Sequence, residues 1–340
     1  MKYLLFIAIC LTGLSTQLWA HKPSEQNLRK DQQEKKLQTR GGACAPATKQ
    51  IDLDINNVRA RLLNGGDCWW DLNRGSYIVP KVVPGSNRKE VSAIFAGAVW
   101  VGGYDPARNL HMMGQTFRSS SSNDCWPGPL TNLGETDMDI CLKWDQFFVV
   151  NGSSIREQQK NFRLVKGIRD LTLDEIPEDV LYYPARGNKF FSQKYNFELP
   201  DPVLYPQGLG LFHEQPESED GIYQPEKGEF PIIDIRGCPD PVYPDQMIFW
   251  IYNDNGGIHT NSNGEPIRME VQVQAFAFTT SDEINDMTFQ RYKLINRAPQ
   301  DLIDCYFAMW VDPDLGCYSD DYIGCNIDRS LMFIYNIDAT

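Results

Sequence analysis

The chain has 340 residues, with 32 Lys and Arg against 45 Asp and Glu and a formal net charge of −13. Such a surface excludes charge-driven binding to nucleic acid or anionic lipid, and leaves divalent cations as natural counterions. The length suffices for one large β domain or two smaller ones.

Residues 1–20, MKYLLFIAICLTGLSTQLWA, have a basic start at Lys2, an apolar stretch from Tyr3 to Leu14, and small and polar residues up to Ala20. They read as a secretory signal peptide, too short for a membrane span, and no later segment has the roughly 18 apolar residues of a spanning helix. Residues 21–50 read as a flexible polar leader, with six basic and three acidic residues between His21 and Ala43 and no apolar periodicity. Order is expected from about Ile51, in a β-rich module over 51–340, with truncation of a longer protein or division near 150–240 as the alternatives left open.

Elements follow in chain order. Residues 92–102, SAIFAGAVWVG, read as a short apolar strand ending in a turn at Gly102-Gly103. Residues 153–165 predict a helix with Ile155, Phe162 and Val165 near one face, and 173–181 a shorter one broken around Pro177. The connection over 199–245 is dense in Pro, Gly and acids, the type that is functional or stapled by an ion. Residues 269–279, MEVQVQAFAFT, alternate with Met269, Val271, Val273, Ala275 and Ala277 on one face. Residues 288–296, 305–311 and 331–335 read as further strands. Pro and Gly clusters punctuate nearly all of these, as in antiparallel sandwiches. The expected fold is mainly β, an antiparallel β-sandwich-like module with long acidic loops and one or two short helices.

Eight cysteines follow the signal peptide: Cys44, Cys68, Cys125, Cys141, Cys238, Cys305, Cys317 and Cys325. An even count in an exported chain predicts disulfides, while leaving 105 pairings open. The absence of CxxC argues against a zinc ribbon or a thioredoxin-like site. Cys317 and Cys325 are candidates to close a loop, with Cys305 as the other near partner.

Six phrases stand in a fixed order: LDINNVRARLLNGGDCWWDL (53–72), IFAGAVWVGGYD (94–105), QTFR…NDCWPGPL (115–130), DGIYQPEKGEFP (220–231), QAFAFTTSDEINDMTFQRYKLINR (274–297) and YFAMWVDPDLGCYSDDYIGCNIDR (306–329). Together they resemble the N-terminal module of large secreted Bacteroidetes surface proteins that commonly end in a type IX secretion sorting domain. The resemblance implies an exported, outer-surface or extracellular protein with a β-rich module, and it implies no established activity. Two departures stand out. No sorting domain follows here, and the run before DGIY carries glutamates where such proteins have Asp and Asn.

Four aspartates, Asp312, Asp314, Asp320 and Asp321, fall within ten residues around Gly316. Calcium takes six to eight oxygen ligands from carboxylates and carbonyls on irregular loops, so this stretch is a candidate structural Ca2+ site. It is not an EF-hand, because Cys317 stands at position six and Ile323 at position twelve counted from Asp312. A second cluster, Glu217, Glu219, Asp220, Glu226 and Glu229, fails the same template and reads as ordinary loop acidity. There is no GxSxG elbow and no P-loop, and His213-Glu214 lacks the second histidine of HExxH. Trp69 and Trp70 cannot share one face of a strand, so one of them is a candidate ligand-stacking platform. His259, in a turn-rich segment, reads as a hairpin cap.

The sequence thus points to an exported, extracellular or outer-surface interaction module of adhesion or ligand-binding type. Calcium would stabilise it, its partner would be an extracellular glycan or protein, and it would have neither a nucleic-acid partner nor a transmembrane segment. The competing expectations are an extracellular hydrolase with a glycosidase-like carboxylate pair, and a structural spacer in a larger surface protein.

Overall fold

A computed structural model describes residues 44–118, 122–235, 238 and 240–336. Residues 1–20, read above as a signal peptide, and residues 21–43 of the expected leader lie outside the described residues. The strands are β1 (Gln50–Leu53), β2 (Arg59–Leu63), β3 (Asp67–Cys68), β4 (Tyr77–Ile78), β5 (Ile94–Tyr104), β6 (Leu110–Met113), β7 (Trp126–Pro127) and β8 (Phe148–Asn151). They continue with β9 (Phe212–His213), β10 (Phe230–Pro231), β11 (Gln246–Asn253), β12 (Met269–Ala277), β13 (Phe289–Asn296), β14 (Ile303–Pro313), β15 (Asp321–Asn326) and β16 (Leu331–Asn336). Seven strands form one sheet in the order β1-β2-β3-β5-β14, with β4 on β2 and β6 on β5. Five form a second in the order β13-β12-β11-β7, with β8 on β11. Their ladders are antiparallel throughout.

The fold is mainly β and sandwich-like, as the alternation predicts. Leu62, Val99 and Val101 of the first sheet pack on Ile248, Trp250, Val271 and Val273 of the second. The second sheet has another apolar face. Its Met247, Phe249 and Ile251 meet a third layer built from residues between the two halves of that sheet. That layer holds α1 (Met138–Trp144), α2 (Gly152–Val165), α3 (Glu178–Leu181) and α4 (Phe191–Tyr195). Ile155 and Phe162 of α2, Val180 of α3 and Phe191 of α4 are its anchors. The expected helix over 153–165 is α2, and the expected break at Pro177 separates a 3-10 turn (Leu173–Glu175) from α3. The short α1 and α4 were not legible, since seven and five residues are too few to display a helical period.

The third layer changes the reading of β12. Alternation places Val271, Val273 and Ala275 against the first sheet, but all nine residues of the strand are buried. Its polar side chains face the third layer and bond to it. Gln272 donates to the Gly208 carbonyl at 3.0 Å and Gln274 to the Ile232 carbonyl at 3.1 Å. Glu270 accepts from the Leu130 amide at 3.1 Å and pairs with Arg297 at 3.3 Å. Burial pushes the Glu270 carboxyl up, and Arg297 opposes that shift. The 199–245 connection is therefore held to the sheet by buried amides that satisfy its carbonyls.

Three boundary expectations are corrected. Gly102-Gly103 is no turn: β5 runs through it, with Met112 and Tyr306 on either side of Gly102. The module begins before Ile51, since Cys44 is disulfide-bonded to Cys141 and the Thr48 and Lys49 amides donate to Asp145. Residues 150–240 mark no boundary, because they supply the third layer within one compact unit, Gly41–Thr340. Among the described residues no helix is long and apolar enough to cross a membrane.

Beyond β14 the chain forms a hairpin, β15–β16, that pairs Tyr322 with Tyr335 and Ile323 with Ile334. Most of its apolar side chains are exposed, as are Tyr306 and Phe307 on β14, the outer strand of its sheet.

Candidate functional site

Alternation dictates what the outer face of the first sheet carries. With Leu62 and Val99 turned inward, Arg59 and Arg61 of β2 and Ala96, Ala98 and Trp100 of β5 fall on the opposite side. The β14 register sets Trp310 opposite Ala98 and Asp312 opposite Ala96, adding both to that face. Alanines there leave room for large rings. The Trp100 and Trp310 indoles lie parallel, 3° apart in plane with centroids at 6.1 Å. The row continues from Trp310 to Phe117 at 6.4 Å and from Phe117 to Trp70 at 5.7 Å. Phe117 is 39 % exposed, and Trp100 and Trp310 are half-buried.

Trp69 and Trp70 do not form an exposed platform. They lie beyond the end of β3, so strand alternation does not govern them. Trp70 is buried and donates its indole N–H to Asp67 at 2.7 Å. Asp67 also pairs with buried Arg118 at 2.9 Å. Trp69 adopts a φ of 70°, which folds its ring against Gly97, where a Cβ would stand 2.4 Å from the indole. The two rings anchor the loop 69–75. Leu72 in that loop also has a positive φ, 73°. Asp71 organises its tip, accepting from the Asn73 and Arg74 amides at 3.1 and 3.0 Å and from the Arg74 Nε at 3.2 Å.

Asp71, Arg74 and Gly75 of this loop line an open cavity of about 510 Å³ together with Arg59, Arg61, Glu90, Asp314 and Gly316. The charged groups are paired around it: Arg59 with Glu90 at 2.6 Å, Arg61 with Asp52 at 2.5 Å, and Arg74 with Asp71. None of these arginines was singled out from sequence. The signal was there in RARLL, where Arg59 and Arg61 repeat at period two between inward-facing residues.

The acidic stretch lies against this cavity. The Asp314 amide donates to the Ala93 carbonyl at 3.2 Å, tying the end of β14 to the sheet. Gly316, at φ 94°, turns the chain, and the Leu315 amide donates back to Asp321 at 3.1 Å. Asp314 and Asp320 thus lie in the turn between β14 and β15, with Asp312 near the end of β14 and Asp321 at the start of β15. One carboxylate oxygen each of Asp314, Asp320 and Asp321 is buried without a hydrogen-bond partner. Desolvation, then the neighbouring Asp314, raises the Asp312 carboxyl above the usual carboxylate range. Desolvation and then Asp321 do the same to Asp314. The orphaned oxygens suit a hard cation, whose ligands are carboxylates on irregular backbone. They are neighbours and not a closed cage: among the described residues no three His, Cys, Asp or Glu side chains converge on one ion position.

Of the eight candidate cysteines, Cys44 and Cys141 are bonded to each other. Cys68 and Cys125 are buried thiols, both pushed well up by burial. Cys238, Cys305, Cys317 and Cys325 are exposed thiols, so no disulfide closes the acidic loop; Cys317 instead lies 3.1 Å from the Ser319 hydroxyl.

The remaining candidates are structural. Both His259 ring nitrogens meet carbonyl oxygens, of Met112 at 2.8 Å and Asp254 at 2.6 Å, and the ring lies buried between Asp124 and Asp254. It clamps three segments together and has no access to solvent. Glu229 is fully buried and accepts from Ser218 and the Gln224 amide, while Glu226 pairs with Lys189. Those two glutamates therefore depart from the ordinary loop acidity expected of the second cluster, because both are buried and partnered.

No family model, no curated protein and no solved structure matches this chain.

Proposed function

We propose that the protein is an exported β-sandwich interaction module, acting outside the cell or at its outer surface. Its ligand-facing region is the outer face of the first sheet, and calcium orders the loop that carries Asp312, Asp314, Asp320 and Asp321. The observation that carries this reading is the juxtaposition of three orphaned carboxylate oxygens with an open cavity and an aromatic row. Orphaned buried acceptors are costly, and a bound cation relieves that cost. The Cys44–Cys141 disulfide and the sequence of residues 1–20 support export. The six ordered phrases support kinship with the Bacteroidetes surface modules described above.

A thermal melt in EDTA and then in excess calcium tests the cation. We expect a rise in Tm of several degrees that grows with calcium concentration, as linkage requires, and its loss in Asp312→Asn combined with Asp320→Asn. An unchanged Tm in calcium would leave the loop as a solvated acidic turn. Turnover of an extracellular polymer, abolished by a single Asp→Asn or Glu→Gln change, would replace the binding reading with a hydrolase.

A further inference from the structure

We infer that the cavity beside the acidic loop binds an uncharged saccharide, with the aromatic row as its continuation; this rests on the interaction-module reading above and names its ligand.

Charge balance gives the ligand class. Arg59, Arg61 and Arg74 line the cavity, and so do Asp71, Glu90 and Asp314. Three cations against three anions select neither an anionic nor a cationic ligand. What remains is a dense set of fixed donors and acceptors. Arg74 commits only its Nε, to Asp71, and its side chain is 78 % exposed, which leaves both Nη groups to donate. Glu90 accepts from Arg59 through one oxygen and its side chain is 37 % exposed, which leaves the other oxygen to accept. A partner for both must donate and accept through groups of one kind, as hydroxyls do.

Three further observations agree. The cavity volume, about 510 Å³, lies in the range of small-molecule sites. The loop 69–75, which gives the cavity Asp71, Arg74 and Gly75, holds two non-glycine residues at positive φ, Trp69 and Leu72, and such strain gathers at ligand sites. On the same sheet face, exposed Phe117 and half-buried Trp310 offer ring faces. A sugar ring has an apolar face to lay on them and polar edges for the arginines and carboxylates. A peptide would instead leave the balanced charges with few hydroxyls to engage.

The test is isothermal titration of the oxidised protein, with calcium present, against neutral hexose and pentose oligosaccharides. Oligogalacturonate serves as the charged comparator and a mixed peptide library as the other ligand class. We expect saturable binding of a neutral oligosaccharide, weakened about tenfold or more in Arg74→Ala, whose melting temperature stays that of the wild type because the lost ion pair is exposed. Phe117→Ala should also weaken binding. Saturation by oligogalacturonate alone, by peptide alone, or by neutral sugar with Arg74→Ala unaffected would overturn the saccharide assignment. Peptide binding would leave the interaction-module reading standing. Turnover of a polymer would remove that reading itself.

Discussion

Asp314 sits half-buried at the end of β14, with one oxygen that meets no donor and a carboxyl raised by desolvation and by Asp321. A carboxyl raised in the folded state binds its proton more tightly there than in the unfolded chain. Its contribution is therefore favourable at low pH and is lost as pH rises through the folded value. At neutral pH without calcium, Asp314 works against folding. Asp314→Asn in EDTA is expected to raise Tm by about 1–2 °C at pH 7, a small figure because the group is partly solvated. The difference from wild type should shrink as pH falls toward the ordinary carboxylate range, and should reverse in excess calcium. A pH-independent difference would sink the electrostatic account. At this scale the aspartates were legible, because four acids in ten residues repel wherever they are placed. Arg74 and Glu90 were not, since nothing local says that residues of two separate loops will share a cavity.

Among the elements, the β15–β16 hairpin is the least supported. Tyr322, Ile323, Leu331, Met332, Phe333 and Tyr335 are all between 45 and 61 % exposed. A two-stranded ribbon that buries little is marginal alone, whereas β12 is paired on both edges and buried on both faces. Hydrogen exchange should show the hairpin amides exchanging orders of magnitude faster than those of β12. Equal protection would mean that another surface covers the hairpin in solution. Its strands were readable from apolar content, and so was β12 from its alternation. The burial of β12's polar face was not readable, because Gln272 and Gln274 look solvent-facing until the third layer supplies carbonyls for them. Likewise Gly102-Gly103 signals a turn by composition, yet small residues also suit a central strand flanked on both sides.

For the whole molecule, the Cys44–Cys141 bond joins the start of the module to α1 across a separation of 97 residues. Closing a loop of that length restricts the unfolded chain strongly, by about 4–5 kcal/mol in the entropy model. Cys141→Ser should therefore lower unfolding free energy by about 3–5 kcal/mol in urea. Reduction with dithiothreitol should destabilise the wild type by a similar amount and leave the variant unchanged. A variant as stable as wild type would show that buried contacts around Trp126, not the bond, hold this end.

By itself the sequence determined the mainly β class, the strand alternation, the α2 helix and the acidic loop. Each is set by spacing along a few turns or one strand, and such spacing is visible in one dimension. Only the tertiary structure decided which cysteines meet, why both faces of β12 are dry, and that Trp69 and Trp70 anchor a loop instead of forming a platform. Those outcomes depend on partners from distant segments: Cys141 for Cys44, Gly97 for Trp69, Gly208 for Gln272. The cavity is of the same kind. Arg59 and Arg61, the strained loop with Arg74, Glu90 and Asp314 come from four separated stretches, and their shared position exists only once the first sheet has closed through β14.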